Sequence, residues 1–284
     1  MSIRLSIPAA GSTASWTGEF WGWAGRTLGA PARTASGAPV WLRLVSSPED
    51  KASGKLWDGA LDARHAFCDL DGHCPALLDV HDMFDDTTAY RAELSVRVEE
   101  PVLAGDPILQ HELQLPDSWW ENLAATLEKV SAVATGRVAV RRQYMDRAIP
   151  RFLGIPAPTV TRWTTAHSDV HWANLTGTPP RALDWEGWGQ APEGFDSATL
   201  YGYTLLQPGT AAHVRDAFPV LGSTVGLAAE ATVRFRTDPA LILTKREADP
   251  GCRPRPGWWS LPTTPRPATH GTDTSPAGRG SPLI

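Results

Sequence analysis

"HSDVHWAN", His167 to Asn174, followed by "ALDWEGWG", Ala182 to Gly189, is the stretch whose reading decides the fold. Two histidines, an aspartate and an asparagine stand close together, and a second aspartate, Asp184, ends a short apolar run. Three readings compete: a metal-hydrolase site, a phosphoryl-transfer site and a set of polar turns. A zinc site would use His167, Asp169 and His171. The hydrolase patterns need further histidines nearby, and none of the chain's 8 flanks this stretch usefully. The turn reading stays open, because Asp and Asn bond their own backbone and favour turns.

Phosphoryl transfer asks for a carboxylate near the attacking hydroxyl and for side-chain oxygens on a divalent cation. Asp169 and Asn174 stand five residues apart, the spacing of the H-R-D-x-x-x-x-N loop. Asp184 follows "RAL", where a strand can deliver it to the same cation. A carboxylate and an amide oxygen suit a hard cation such as Mg²⁺.

Outward from this stretch the chain divides. Residues 15–100 read as strand-rich. "VWLRLV" (Val40–Val45) and "AELSVRV" (Ala92–Val98) both alternate with period two. "GRTLGAPARTASGAP" reads as turns between strands, and "GKLWDGALDARHAF" as a helix weakened by Gly59. The acidic "DVHDMFDD" (Asp79–Asp86) reads as a solvated loop. From Pro116 the pattern turns helical. Trp120, Leu123, Ala124, Leu127 and Val130 share one face, Ser118 and Glu121 have capping-box spacing, and Gly136 stands at the expected stop. Trp119, Trp120 and Trp163 read as packing residues, and Trp185 and Trp188 as packing beside the site. The expected class is α+β with two lobes joined near residues 99–107, a strand-rich 15–100 and a mostly helical 101–246. The proline-dense 247–284 reads as a disordered tail.

The bulk numbers agree with a globular protein. The 284 residues are 42% hydrophobic, enough for two lobes. The net charge of −5 and the lack of a basic run point away from nucleic acid. Three cysteines without paired spacing point away from a disulfide framework. No segment has the roughly 18 apolar residues of a membrane span, and no signal segment opens the chain, so the expected location is cytoplasmic.

"AHSDVHWANL" followed by "ALDWEGWGQAPEGFDSATLY" resembles the aminoglycoside phosphotransferase family of small-molecule kinases, whose fold is similar to that of protein kinases. The resemblance implies a bilobal protein-kinase-like fold, ATP and Mg²⁺ as cofactors, and a small-molecule hydroxyl as acceptor. By that resemblance Asp169 is the general base and His167 braces its loop. Asn174 and Asp184 hold the magnesium, and Asp196 holds the loop through its backbone amides. His171 stands where the family carries histidine, and Glu186 lies behind the ligands. Arg43, in the third strand, takes the place of the basic residue that grips the nucleotide phosphates. Its usual partner is a helix glutamate, and none occurs between Glu49 and Glu93. Asp58 and Asp62 are the acidic candidates in the helix that follows.

The sequence departs from the family in four places. Ser168 stands where the family has glycine, and "GRTLGAPA" lacks a convincing glycine-rich loop. The helix glutamate is missing, and the helical lobe dissolves into the proline-rich tail, as a shifted reading frame in a GC-rich gene would produce. These departures support an alternative, a degenerate non-catalytic nucleotide-binding member of the same fold.

Overall fold

In the computed structural model, which describes residues 20–22, 25–68, 70 and 74–237, "VWLRLV" lies in the central strand of a five-stranded antiparallel sheet. The strands are β1 (Phe20–Trp21), β2 (Thr27–Arg33), β3 (Pro39–Pro48), β4 (Leu77–Asp85) and β5 (Thr88–Val96), in the order β1-β2-β3-β5-β4. Two sequence expectations are corrected here. "TLGAPAR", read as turns, is β2, paired with β3 from Thr27↔Val45 to Arg33↔Pro39. Its Gly29 is used for close packing, because a β-carbon there would press on the Trp41 indole. The acidic "DVHDMFD", read as a loop, is most of edge strand β4. There Arg91 of β5 grips Asp82 through two parallel hydrogen bonds of 2.7 and 2.8 Å, so a charged edge strand is held by its neighbour.

Helix α1 (Lys55–Ala66) opens after Gly54, whose φ is 79° and whose N–H donates to the Asp58 carboxylate at 2.9 Å. Gly59, a flaw by helix propensity, has a positive use. A β-carbon at Gly59 would overlap the backbone of Glu186, so the glycine lets α1 dock on the "DWEG" segment.

The second lobe contains α2 (Asp117–Ser131), α3 (Arg142–Leu153), α4 (Phe195–Gly202), α5 (Pro208–Ala217) and α6 (Leu227–Thr237). The predicted face of α2 is buried at Trp120, Leu123, Leu127 and Val130. The capping box does not form: Pro116 occupies the cap with no side-chain bond, and the helix ends at Ser131, before Gly136. Extended Pro116 already directs the chain into the helix, and Ser118 lies inside its first turn. Trp119 is fully buried, stacks on Trp172 at 6.3 Å and donates to the Thr176 and Gly177 carbonyls at 3.1 Å. Burying such a ring is worth roughly 2–3 kcal/mol, and here the burial ties α2 to the loop that carries Asn174.

A short ladder, β6 (Trp163–Ala166) against β7 (Gly189–Pro192), places the two diagnostic segments side by side. Ala166 pairs with Gly189, so the chain leaves β6 into "HSD" where "DWEG" enters β7. The linker is stitched to the same region: Leu103 N–H donates to the Leu175 carbonyl and Ala104 N–H to that of Trp172. Among the described residues, no helix is long and apolar enough to cross a membrane. The expected tail 247–284, and the frame shift inferred from it, lie outside the described residues.

Candidate active site

The loop after β6 is held from below by α4. Asp196, buried at the start of that helix, accepts the His167 and Ser168 backbone N–H groups with one oxygen each, both at 2.8 Å. Desolvation pushes its carboxyl up to about 6, against the pull of those two amides. His167 is fully buried, edge-on to Trp185 at 4.5 Å. Its Nδ1 accepts the Asp169 N–H at 3.3 Å, which requires the neutral ring. Desolvation lowers its pKa to about 4, so the ring stays neutral at physiological pH.

Ser168 takes the left-handed conformation, φ 73°. Its hydroxyl donates to the Gly187 carbonyl at 2.6 Å, joining the Asp169 loop to the segment that follows Asp184. The bond offsets part of the roughly 1–2 kcal/mol cost of a side chain in that conformation.

Asp169 and Asn174 meet directly. The Asn174 Nδ2 donates to the Asp169 carboxylate at 3.2 Å and to its backbone carbonyl at 3.1 Å. His171 Nε2 lies 3.2 Å from Asn174 Nδ2 and 3.5 Å from the Asp169 carboxylate. Asp184 arrives through the backbone: Leu183 N–H donates to the Asn174 carbonyl at 2.8 Å, and Leu175 bridges Ala182. Asp184 itself is left-handed, φ 61°, so the chain turns sharply and leaves 43% of its side chain open.

Arg43 closes the site from the sheet. Its guanidinium donates to Glu93 at 2.8 Å and to Glu186, and lies 3.9 Å from Asp184. Desolvation lowers the Arg43 pKa, but the charges of Asp184, Glu186 and Glu93 outweigh it and raise it above the ordinary arginine value. Asp184 feels the converse. Partial desolvation pushes its carboxyl up, Glu186, Asp169 and Glu93 add to this, and Arg43 opposes it. One arginine against Glu93, Asp184 and Glu186 leaves an excess of two negative charges when all are ionised. Partly open oxygens under mutual repulsion are a setting that a hard divalent cation relieves. Among the described residues, no three His, Cys, Asp or Glu side chains form a metal-holding group. One carboxylate and one amide, as Asp184 and Asn174 would supply, are a donor set suited to a cation that also takes phosphate oxygens.

The expected Arg43 partners are corrected. Asp58 faces Arg91 at 3.5 Å, and Asp62 pairs with Arg137; neither meets Arg43. The partners are Glu93, directly across the sheet in the register Arg43↔Glu93, and Glu186 of the segment that follows Asp184. A single line of residues shows only neighbours along the helix, whereas a partner 50 residues away requires the strand pairing. The parity of "AELSVRV" was the available signal, since it marks Glu93 as one face of a strand able to pair with β3.

No protein-family model matches the chain, and no curated protein matches it. Solved structures do. Amicoumacin kinase hAmiN, in complex with AMP-PNP, Ca²⁺ and Ami, matches with a TM-score of 0.50 and 11% identity, over 76% of this chain and 70% of its own. Macrolide 2'-phosphotransferase MphH from Brachybacterium faecium matches at 0.47 and 17%, over 78% of this chain and 84% of its own. An aminoglycoside-3'-phosphotransferase of type VIII matches at 0.46 and 13%, over 81% and 92%. With its antiparallel sheet lobe, helical lobe and the two loops framed by β6 and β7, the chain has the bilobal, protein-kinase-like fold of the amicoumacin kinase.

Proposed function

We propose that the protein is an ATP- and Mg²⁺-dependent phosphotransferase of the aminoglycoside phosphotransferase type, acting on a small-molecule hydroxyl. Three contacts support this reading: Asn174 Nδ2 donates to the Asp169 carboxylate, the Leu183 N–H beside Asp184 donates to the Asn174 carbonyl, and Arg43 lies 3.9 Å from Asp184. The complex of amicoumacin kinase with AMP-PNP and Ca²⁺ is consistent with nucleotide and divalent-cation use on this fold.

Asp169 has 44% of its side chain exposed and is oriented by Asn174 and His171. In that position it accepts the proton of an incoming hydroxyl and aligns its oxygen for attack. Asn174 and Asp184 are the residues that would hold Mg²⁺, which when bound neutralises phosphate charge. Arg43 supplies the fixed positive charge of the sheet lobe, and Glu93 and Glu186 aim its planar fork. Asp196 and neutral His167 hold the loop without entering the reaction. Catalysis of this kind is positioning and electrostatics, with little covalent work for the protein.

The test is ADP release from Mg²⁺-ATP, measured against a panel of aminoglycosides, amino alcohols and sugars. Release that depends on one acceptor class supports the reading. Tight Mg²⁺-ATP binding with no release under any condition would assign the chain to a non-catalytic nucleotide-binding role.

A further inference from the structure

Arg137 lies in neither loop of the site, yet its guanidinium joins the site's two supports. Its Nη1 meets the Asp62 carboxylate, and its Nη2 donates to the Lys55 carbonyl at 2.7 Å; both acceptors belong to α1. Its Nη2 also donates to the Glu186 carbonyl and its Nε to that of Trp188, both at 3.3 Å, and the group lies 4.7 Å over the Trp188 ring. The residue itself is anchored in the helical lobe, where its carbonyl accepts the Gln190 N–H of β7 at 2.8 Å. A planar fork with five donors suits such a junction, and a lysine cannot serve all its acceptors at once.

Other contacts run the same way. Trp188 Nε1 donates to the Gly59 carbonyl at 3.0 Å, Lys55 Nζ donates to the Ala139 carbonyl at 3.1 Å, and Gly59 seats on the Glu186 backbone. Arg43, by contrast, draws its carboxylates from β5 and from Asp184 and Glu186, so that α1 is fastened to the cleft segment and not to the phosphate-facing arginine.

We propose that Arg137 is a positioning residue that joins α1 and the Asp184–Trp188 segment into one body, so that the placement of α1 sets the placement of Asp184 and Glu186 in the cleft. Its effect on Mg²⁺-nucleotide rests on the phosphotransferase reading; the mechanical joint does not.

The experiment compares wild type with Arg137→Ala and Arg137→Lys by amide hydrogen exchange and by ATP titration with Mg²⁺ or with EDTA. In Arg137→Ala, exchange rises together in residues 55–66 and 184–188. The Kd for Mg²⁺-ATP rises about ten-fold, the loss expected for charge-assisted hydrogen bonds, while the Kd for ATP in EDTA changes less than about two-fold. Arg137→Lys falls between the two, and it serves as the test variant should the alanine variant fail to fold. Unchanged exchange in α1, loosening of α1 alone, or equal losses with and without Mg²⁺ overturns the proposal. A wild type that binds no Mg²⁺-ATP sinks the phosphotransferase reading instead, and joint or separate loosening of the two segments then decides the role of Arg137.

Discussion

Arg43 and Glu93 face each other across β3 and β5, 2.8 Å apart, so the ion pair of the sheet lobe lies within the sheet. The Glu93 side chain is 5% exposed, and removing its charge leaves Arg43 to Glu186 and Asp184 alone. Glu93→Gln should lower stability by about 1–3 kcal/mol, less than full loss of a buried pair because two carboxylates remain. Urea denaturation measures this, and an unchanged midpoint would refute it.

Asp169 and Asp184 should separate by kinetics. Asp169→Ala should cut turnover by roughly 10²–10⁴-fold while leaving Mg²⁺-ATP affinity within a few-fold, because in the proposed mechanism it acts on the hydroxyl. Asp184→Ala should weaken Mg²⁺-ATP binding itself. Calorimetric titration alongside ADP release distinguishes them; the reverse pattern would exchange their roles.

Ser168 sets strain against a hydrogen bond. Ser168→Ala keeps the left-handed strain and loses the bond to Gly187. Ser168→Gly loses the bond but also relieves the strain. The alanine variant should therefore be less stable than the glycine variant by about 1 kcal/mol. Equal denaturation midpoints would show that φ at this position is free to change.

His167 makes stability depend on pH. Its folded pKa of about 4 lies below the unfolded value of 6.5, so the unfolded chain takes the proton first as pH falls. The stability from burying the neutral ring is complete above about 6.5 and is lost progressively toward 4, about 3 kcal/mol in all. Asp196 has the opposite sign, since its folded pKa is raised to about 6 and its folded state binds protons first. The two contributions nearly cancel in wild type. His167→Asn isolates the first: the stability gap between wild type and variant should shrink by about 3 kcal/mol between pH 6.5 and pH 4. A constant gap would contradict a buried neutral histidine.

Gly59 reverses an ordinary rule. Glycine to alanine inside a helix usually stabilises by about 1 kcal/mol. Here the new methyl would overlap the Glu186 backbone, so Gly59→Ala should destabilise by about 1–3 kcal/mol. Thermal melting decides the sign.

The site loops were legible in the sequence because their chemistry is local. Asp169 and Asn174 stand five residues apart, and the loop geometry that joins them spans that same short distance. The period-two run around Arg43 and the apolar face of α2 were legible for the same reason, since strand and helix write their repeats along the chain. The sequence alone could not show β2 and β4, because glycine, proline and aspartate are tolerated where a neighbouring strand supplies the hydrogen bonds. Only the tertiary structure decided which carboxylate serves which arginine. Arg43 to Glu93, Arg91 to Asp82 and Arg137 to Asp62 are choices made by strand register and by the docking of α1 on residues 185–188. Charge attraction has no preferred direction along the chain, so the pairing is settled by which side chains the packed backbone brings within reach.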